Sequence, residues 1–153
     1  MVEQISNVKW LWWRLEQEVK AAGVSEVAKV LGGSTEDIHR RLKTHQVRMR
    51  GLVTMANKLF DCSIAEMFLD PAVYTDWYKD ARPEYFVENI NAAKEEKGCT
   101  TTAVAKAVGC EESPASSWFT GKAYPQVETM QKIADYFEME IADLFLPPKG
   151  VVE

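Results

Sequence analysis

Val27-Ala28-Lys29-Val30-Leu31-Gly32 and Val104-Ala105-Lys106-Ala107-Val108-Gly109 stand 77 residues apart. So do Ile64-Ala65-Glu66-Met67-Phe68-Leu69 and Ile141-Ala142-Asp143-Leu144-Phe145-Leu146, and Pro71 and Pro148 keep the same offset. An internal recurrence limits the available folds more than composition does, because the structural unit must fit inside one period and occur twice. The expected unit is a compact helical module of about 60 residues, present in two diverged copies.

Domains of that size are marginal alone. Hydrophobic residues make up 46 % of the 153-residue chain, enough for two modest cores, so the copies are expected to pack on each other or on a second chain. A net charge of −5 argues against a surface that binds nucleic acid everywhere, but the charge is uneven. Through residue 70 there are ten Lys+Arg against nine Asp+Glu, and from residue 71 onward eight against fourteen. If one copy touches phosphate, it should be the first. Cys62, Cys99 and Cys110 are scattered and form no CxxC pair, which favours reduced thiols in the cytoplasm over a redox sensor or metal ligand. Val8 to Val19 is rich in Trp and Leu but broken by Lys9, Arg14, Glu16 and Glu18, so it is neither a signal peptide nor a membrane span.

The first copy opens with a helix from about Val8 to Ala22, capped by Ser6 or Asn7 and ended by Gly23. Leu11, Leu15 and Val19 make its core face, bordered by Trp12. Trp10 and Trp13 fall off that stripe, as contacts with the other copy or another chain, or as lids on a small core. A short helix is expected over Ser25–Leu31, then a turn at Gly32-Gly33. Ser34 and Asp37 form a capping box for the third helix, with Ile38 and Leu42 inward. A fourth helix is expected over Leu52–Phe60 and a fifth over Ile64–Phe68. The second copy repeats the order. Its first helix spans Pro83–Lys97 on a Phe86, Ile90, Ala93 stripe, and its second, capped by Thr100 or Thr101, runs through Val108. The third starts at Ser113-Pro114 and runs to Thr120, with Pro114 delaying its start relative to the first copy. Thr129–Phe137 and Ile141–Phe145 complete the set. The connector carries Tyr74, Trp77 and Tyr78, too aromatic for a flexible tether.

Two helices joined at Gly109, a residue free to adopt positive φ, and followed by Trp118 form the core of a helix-turn-helix. The run Lys97-Gly98-Cys99-Thr100, Val104-Ala105, Val108-Gly109, Trp118, Gly121-Lys122, Pro125, Thr129, Ile133-Ala134 and Ile141 to Phe145 resembles the Cro/phage-repressor (Xre-type) helix-turn-helix family. The first copy resembles it more loosely through Gly23, Val27-Ala28, Leu31-Gly32, Ser34, Ile38 and Ile64 to Phe68. It is about two residues short before Val27 and one long near Asp61, and Arg41 stands where the family usually has Trp. The resemblance implies an all-α fold of two tandem five-helix λ-repressor-like domains. These would be residues 1–71 and 83–148, with a connector at 72–82 and a frayed tail at 149–153.

By that resemblance the third helix of each copy would enter a major groove while the following loop touches phosphate. In the first copy the candidates are Thr35, Glu36, His39, Arg40 and Lys43, with His45, Arg48 and Arg50 in the loop. Residues 38–60 hold six Lys+Arg and no carboxylate. In the second they are Glu112, Ser113, Ser116, Ser117 and Thr120, with Lys122 and Tyr124 in the loop. Glu111 and Glu112 there already satisfy the helix dipole and would repel phosphate, although a carboxylate can accept from cytosine N4.

The expected function is sequence-specific binding of double-stranded DNA by a bacterial or phage transcriptional regulator, with no cofactor. Two copies either form an intramolecular pseudo-dimer, or the first binds DNA while the second dimerises, the arrangement that the charge asymmetry favours. The alternative is a protein-interaction module, an antirepressor or a phage-encoded inhibitor of a host nucleic-acid-binding protein. Its acidic second half would meet a basic partner, with Trp10, Trp13, Tyr74, Trp77 and Tyr78 as interface candidates. An enzyme is not expected: there is no phosphate-cradling Gly loop, metal-ligand cluster or nucleophile beside a base. His39 and His45, six apart, do not align on one helix face for a metal.

Overall fold

A computed structural model describes residues 4–73 and 75–148. Tyr74 and the tail expected at 149–153 lie outside the described residues. The fold is all-α, with eight helices and no strand among the described residues. They are α1 (Val8–Ala22), α2 (Val24–Leu31), α3 (Thr35–Thr44), α4 (Met49–Thr54), α5 (Tyr85–Lys97), α6 (Thr101–Val108), α7 (Glu112–Thr120) and α8 (Val127–Tyr136). α4 runs without a break into a π-helical turn, Met55–Phe60. Short 3-10 turns at Glu66–Phe68 and Ile141–Phe145 close the two halves.

Local chemistry sets the helix ends. Asn7, not Ser6, caps α1, its side chain accepting from the Lys9 N–H. Ser34 and Asp37 form a reciprocal capping box on α3. Thr100 caps α6 through the Ala103 N–H. The turns after α2 and α6 place Gly32 and Gly109 in the left-handed region, at φ 75° and 78°. A Cβ on Gly109 would meet nothing within 4 Å, so Gly109→Ala isolates backbone strain. It should cost about 1–2 kcal/mol, read as a lower urea midpoint at unchanged slope.

The helix starts differ from expectation in three ways, the first being that α5 begins at Tyr85, with Pro83 in the turn before it. α4 begins at Met49 and α8 at Val127, earlier than Leu52 and Thr129, because Met49 and Val127 are buried and belong to the core faces of these helices. Pro114 does not delay α7, which begins at Glu112. Pro114 lies in the first turn, where N–H groups have no intrahelical acceptor, so its missing donor and fixed φ are tolerated.

The same local devices hold both halves, with shifts that match the sequence gaps. The Asn7 N–H donates to Phe68 O and the Arg82 N–H to Phe145 O, each at 2.8 Å. Arg14 donates to the carbonyls of Met67 and Leu69 at 2.9 and 2.7 Å. Asn89 donates to those of Leu144 and Leu146 at 2.8 and 2.7 Å. The donors are 75 residues apart and the acceptors 77, the two residues missing before Val27. Buried Leu52, Met55 and Ala56 match Met130, Ile133 and Ala134, but reach Ile64 with one residue more than the second half needs to reach Ile141. The π-helical turn lies at this place and absorbs the extra residue without breaking the helix.

The halves share one continuous apolar core. Phe68 and Phe145, equivalent by sequence, stack with ring centroids 6.0 Å apart and planes 9° apart. The seam is also hydrogen-bonded. The Val8 N–H donates to Gln131 Oε1 at 2.9 Å, Trp12 Nε1 to Glu128 at 3.1 Å, and the Val127 N–H to Val47 O at 2.9 Å. The Ile5 and Ser6 N–H groups share Glu140 Oε1, and buried Ser6 accepts from the Ala142 N–H. In the connector, Tyr78 is buried. Its hydroxyl donates to Asp143 at 2.8 Å and its carbonyl accepts from Ser63 at 2.6 Å. Its neighbour Trp77 is 72 % exposed.

Candidate nucleic-acid interface

α3 presents the face that its periodicity dictates. Ile38 points into the core, Leu42 is half-buried, and Glu36, His39, Arg40 and Lys43 are exposed, with Thr35 half-buried at the helix start. Asp37 does two jobs here: it closes the capping box and ion-pairs with Arg40 one turn on. The Ser34 backbone N–H, with smaller help from the Ser34 hydroxyl and Arg40, holds the Asp37 carboxyl below its ordinary pKa. Arg40 is therefore tethered, while Lys43, Arg48 and Arg50 are exposed and make no ion pair among the described residues.

α7 is chemically different. Ser113, Ser116 and Thr120 are exposed and Ser117 half-buried. With Glu112 and Lys122 they line an open groove of about 550 Å³. Ser117 donates to Pro114 O at 2.6 Å and Thr120 to Ser117 O at 3.2 Å, which leaves Ser113 and Ser116 as hydroxyls with no intramolecular bond among the described residues. Trp118 and Phe119 anchor the opposite face in the core. The first half offers cations and the second mostly hydroxyls flanked by Glu111 and Glu112.

Two loop candidates lean on neighbouring aromatic rings. His45 ends α3 in the left-handed region at φ 55°. Its ring stacks on Trp12 at 4.8 Å and 7°, with Nδ1 3.7 Å from Glu128. Tyr124 is half-buried with its ring edge-on to Phe86 at 5.9 Å. Both orientations follow from tertiary neighbours distant in sequence. Of the aromatic candidates, Trp13 is 41 % exposed and packs edge-on against Trp10 at 6.1 Å, whereas Tyr78 is spent inside the chain.

A second groove, of about 410 Å³, brings predicted cations together with two residues that the sequence did not place there, Arg41 and Gln126. Arg40, Arg41, Arg48 and Arg50 line it together with Thr44, Thr54 and Gln126. The carboxylate-free run of cations over residues 38–60 was the sequence signal for it. The loop after α3 and the loop before α8 meet at this groove through Val47 and Val127, so the segments following α3 and α7 adjoin.

Among the described residues no group of three or more His, Cys, Asp or Glu could hold a metal ion, and no helix is long and apolar enough to cross a membrane. The three thiols are free. Burial, with Glu66 adding, raises the Cys62 thiol to about 11 from an ordinary 9.0. Its alkylation at pH 8 should therefore be about a hundredfold slower in the folded chain than in urea, a difference that mass spectrometry of iodoacetamide adducts can time.

No curated protein and no solved structure matches the chain. Residues 89–149, from α5 to the end of the second half, match the family model of the Cro/C1-type HTH DNA-binding domain.

Proposed function

We propose that the chain is a sequence-specific DNA-binding regulator of bacterial or phage type, acting through α3 and α7 as a pseudo-dimer in one polypeptide. The observation that carries this reading is the family match over residues 89–149, joined to a first half with the same element order and the same local hydrogen bonds. The first half is thus read as a diverged second copy. The contact between equivalent residues, Phe68 on Phe145, supports a pseudo-symmetric pair over an arrangement in which the second copy serves only to dimerise. α3 with Lys43, Arg48 and Arg50 would supply phosphate contacts and His39 base contacts. Ser113 and Ser116 of α7 would supply neutral hydrogen-bonding groups to base edges.

Selection from a pool of random duplexes tests this. A pseudo-dimer of unlike halves recovers two dissimilar half-sites with centres about 10 base pairs apart. A single half-site would leave only one module in contact with DNA, and no enrichment would contradict the reading.

Trp77, 72 % exposed, and the acidic second half support a second reading, a scaffold that docks a basic protein partner. Trp77→Ser separates the two. It should leave duplex binding unchanged if DNA is the ligand, and abolish partner capture if a protein is.

A further inference from the structure

Among the described residues, the polar links from α3 to the second half all lie in the loop that follows it. There the Val127 N–H donates to Val47 O at 2.9 Å, and His45 Nδ1 stands 3.7 Å from Glu128. Glu128, in the first turn of α8, also accepts from Nε1 of buried Trp12 on α1 at 3.1 Å. The His45 ring lies flat on that same indole, at 4.8 Å and 7°. One carboxylate therefore joins α1, the end of α3 and α8. Through Met130, Ile133 and Ala134, α8 in turn belongs to the core of the half that carries α7.

His45 adopts φ 55°, in the left-handed region where a residue with a Cβ is strained. α7 ends in the same region with Gly121, which carries no such strain. A histidine standing where a glycine would be relaxed points to a use for its ring. The clamp also runs one way. In the register of the repeat Trp12 corresponds to Val87, 75 residues on as Asn89 is from Arg14. Glu128 corresponds to Arg50, 78 residues back as Leu52 is from Met130. A valine and an arginine cannot rebuild the indole–carboxylate contact, and Tyr124, in the loop after α7, leans on Phe86 of its own half.

We infer that Glu128 and His45 are positioning residues: through Trp12 they hold α3 at a fixed distance and angle to α7, and so set the half-site spacing that the chain accepts. That role rests on the DNA reading, and it makes His45 a spacer instead of a phosphate contact. Moving one half-site by one base pair displaces it by about 3.4 Å and turns it by about 35° around the duplex axis. A rigid pair of helices rejects that shift, whereas a loose pair follows it.

The test compares the full chain with Glu128→Ala and His45→Asn. Asparagine tolerates the left-handed region, so the second variant keeps the turn and removes only the ring. Each is titrated by anisotropy with one selected half-site alone, and with both at centre separations of about 9, 10 and 11 base pairs. Wild type should prefer one separation by at least about tenfold. Both variants should bind the single half-site as wild type does, and the three paired duplexes within about threefold of one another. Variants that keep the wild-type preference, or that lose affinity for single and paired duplexes alike, overturn the positioning role and leave the contact purely structural. No binding of any duplex by wild type removes the DNA reading itself, and the positioning role with it.

Discussion

Phe145→Ala is expected to destabilise the whole chain, not only the half that contains it. Phe145 is fully buried and packs on Phe68 across the seam and on Phe86 within its own half, both at 6.0 Å between ring centroids. Truncating a buried Phe costs about 3–5 kcal/mol through lost transfer energy and the residual cavity. That is a large share of the roughly 5–15 kcal/mol that stabilises a typical domain. The core is continuous between the halves, so a single transition should be lost. Urea unfolding followed by far-UV circular dichroism and by Trp fluorescence should therefore coincide in wild type and shift together in the variant. Two separated transitions, with only one displaced, would mean that the halves fold independently despite the shared core.

The second large effect concerns charge. Lys43→Glu, Arg48→Glu and Arg50→Glu combined should lower duplex affinity at least a hundredfold and flatten the salt dependence by about 2–3 units of slope, the share of three phosphate contacts. Thermal melting should barely move, since these side chains are exposed and form no ion pair among the described residues. Arg40 is left out deliberately: reversing it would place a second carboxylate beside Asp37 and mix a folding defect with a binding one. Reversal of Lys20, Lys29 and Lys106, three exposed lysines on α1, α2 and α6, is the matched control for net charge. It should change affinity far less. Anisotropy across a salt series reads both results.

How much of this was legible in the sequence depends on how local the cause is. The faces of α1, α3 and α5 follow from Leu11, Leu15, Ile38, Phe86 and Ile90 at helical spacing. The Ser34–Asp37 box and the glycine turns were equally legible, because caps and positive φ are decided within a few residues. The missing pair of residues before Val27 was visible as a gap in the repeat, and so was the extra one near Asp61. The conversion of that extra residue into a π-helical turn was not, because it depends on keeping Met55 and Ile64 in the core at once. Pro114 was misread as a delay because a proline rule was applied without counting the free N–H groups of a first turn.

The candidate interface was legible only as composition. A run of cations without carboxylates marks α3 and its loop, but no local rule says that His45 will stack on Trp12 or that Tyr124 will lean on Phe86. Those directions are set by residues more than thirty positions away. Arg40, Arg48 and Arg50 were legible as cations, but the groove they line with Arg41 was not, because its wall, Gln126, belongs to the other half.

Contact with duplex DNA is what the proposed function requires first. The direct measurement is fluorescence anisotropy of the full chain with a mixed-sequence duplex pool at about 50 and 200 mM salt, conditions between which phosphate contacts lose affinity steeply. Binding is expected at the lower salt and should fall by orders of magnitude at the higher. An absence of binding at the lower salt would contradict the proposed function and leave the chain as a helix-turn-helix scaffold serving another partner.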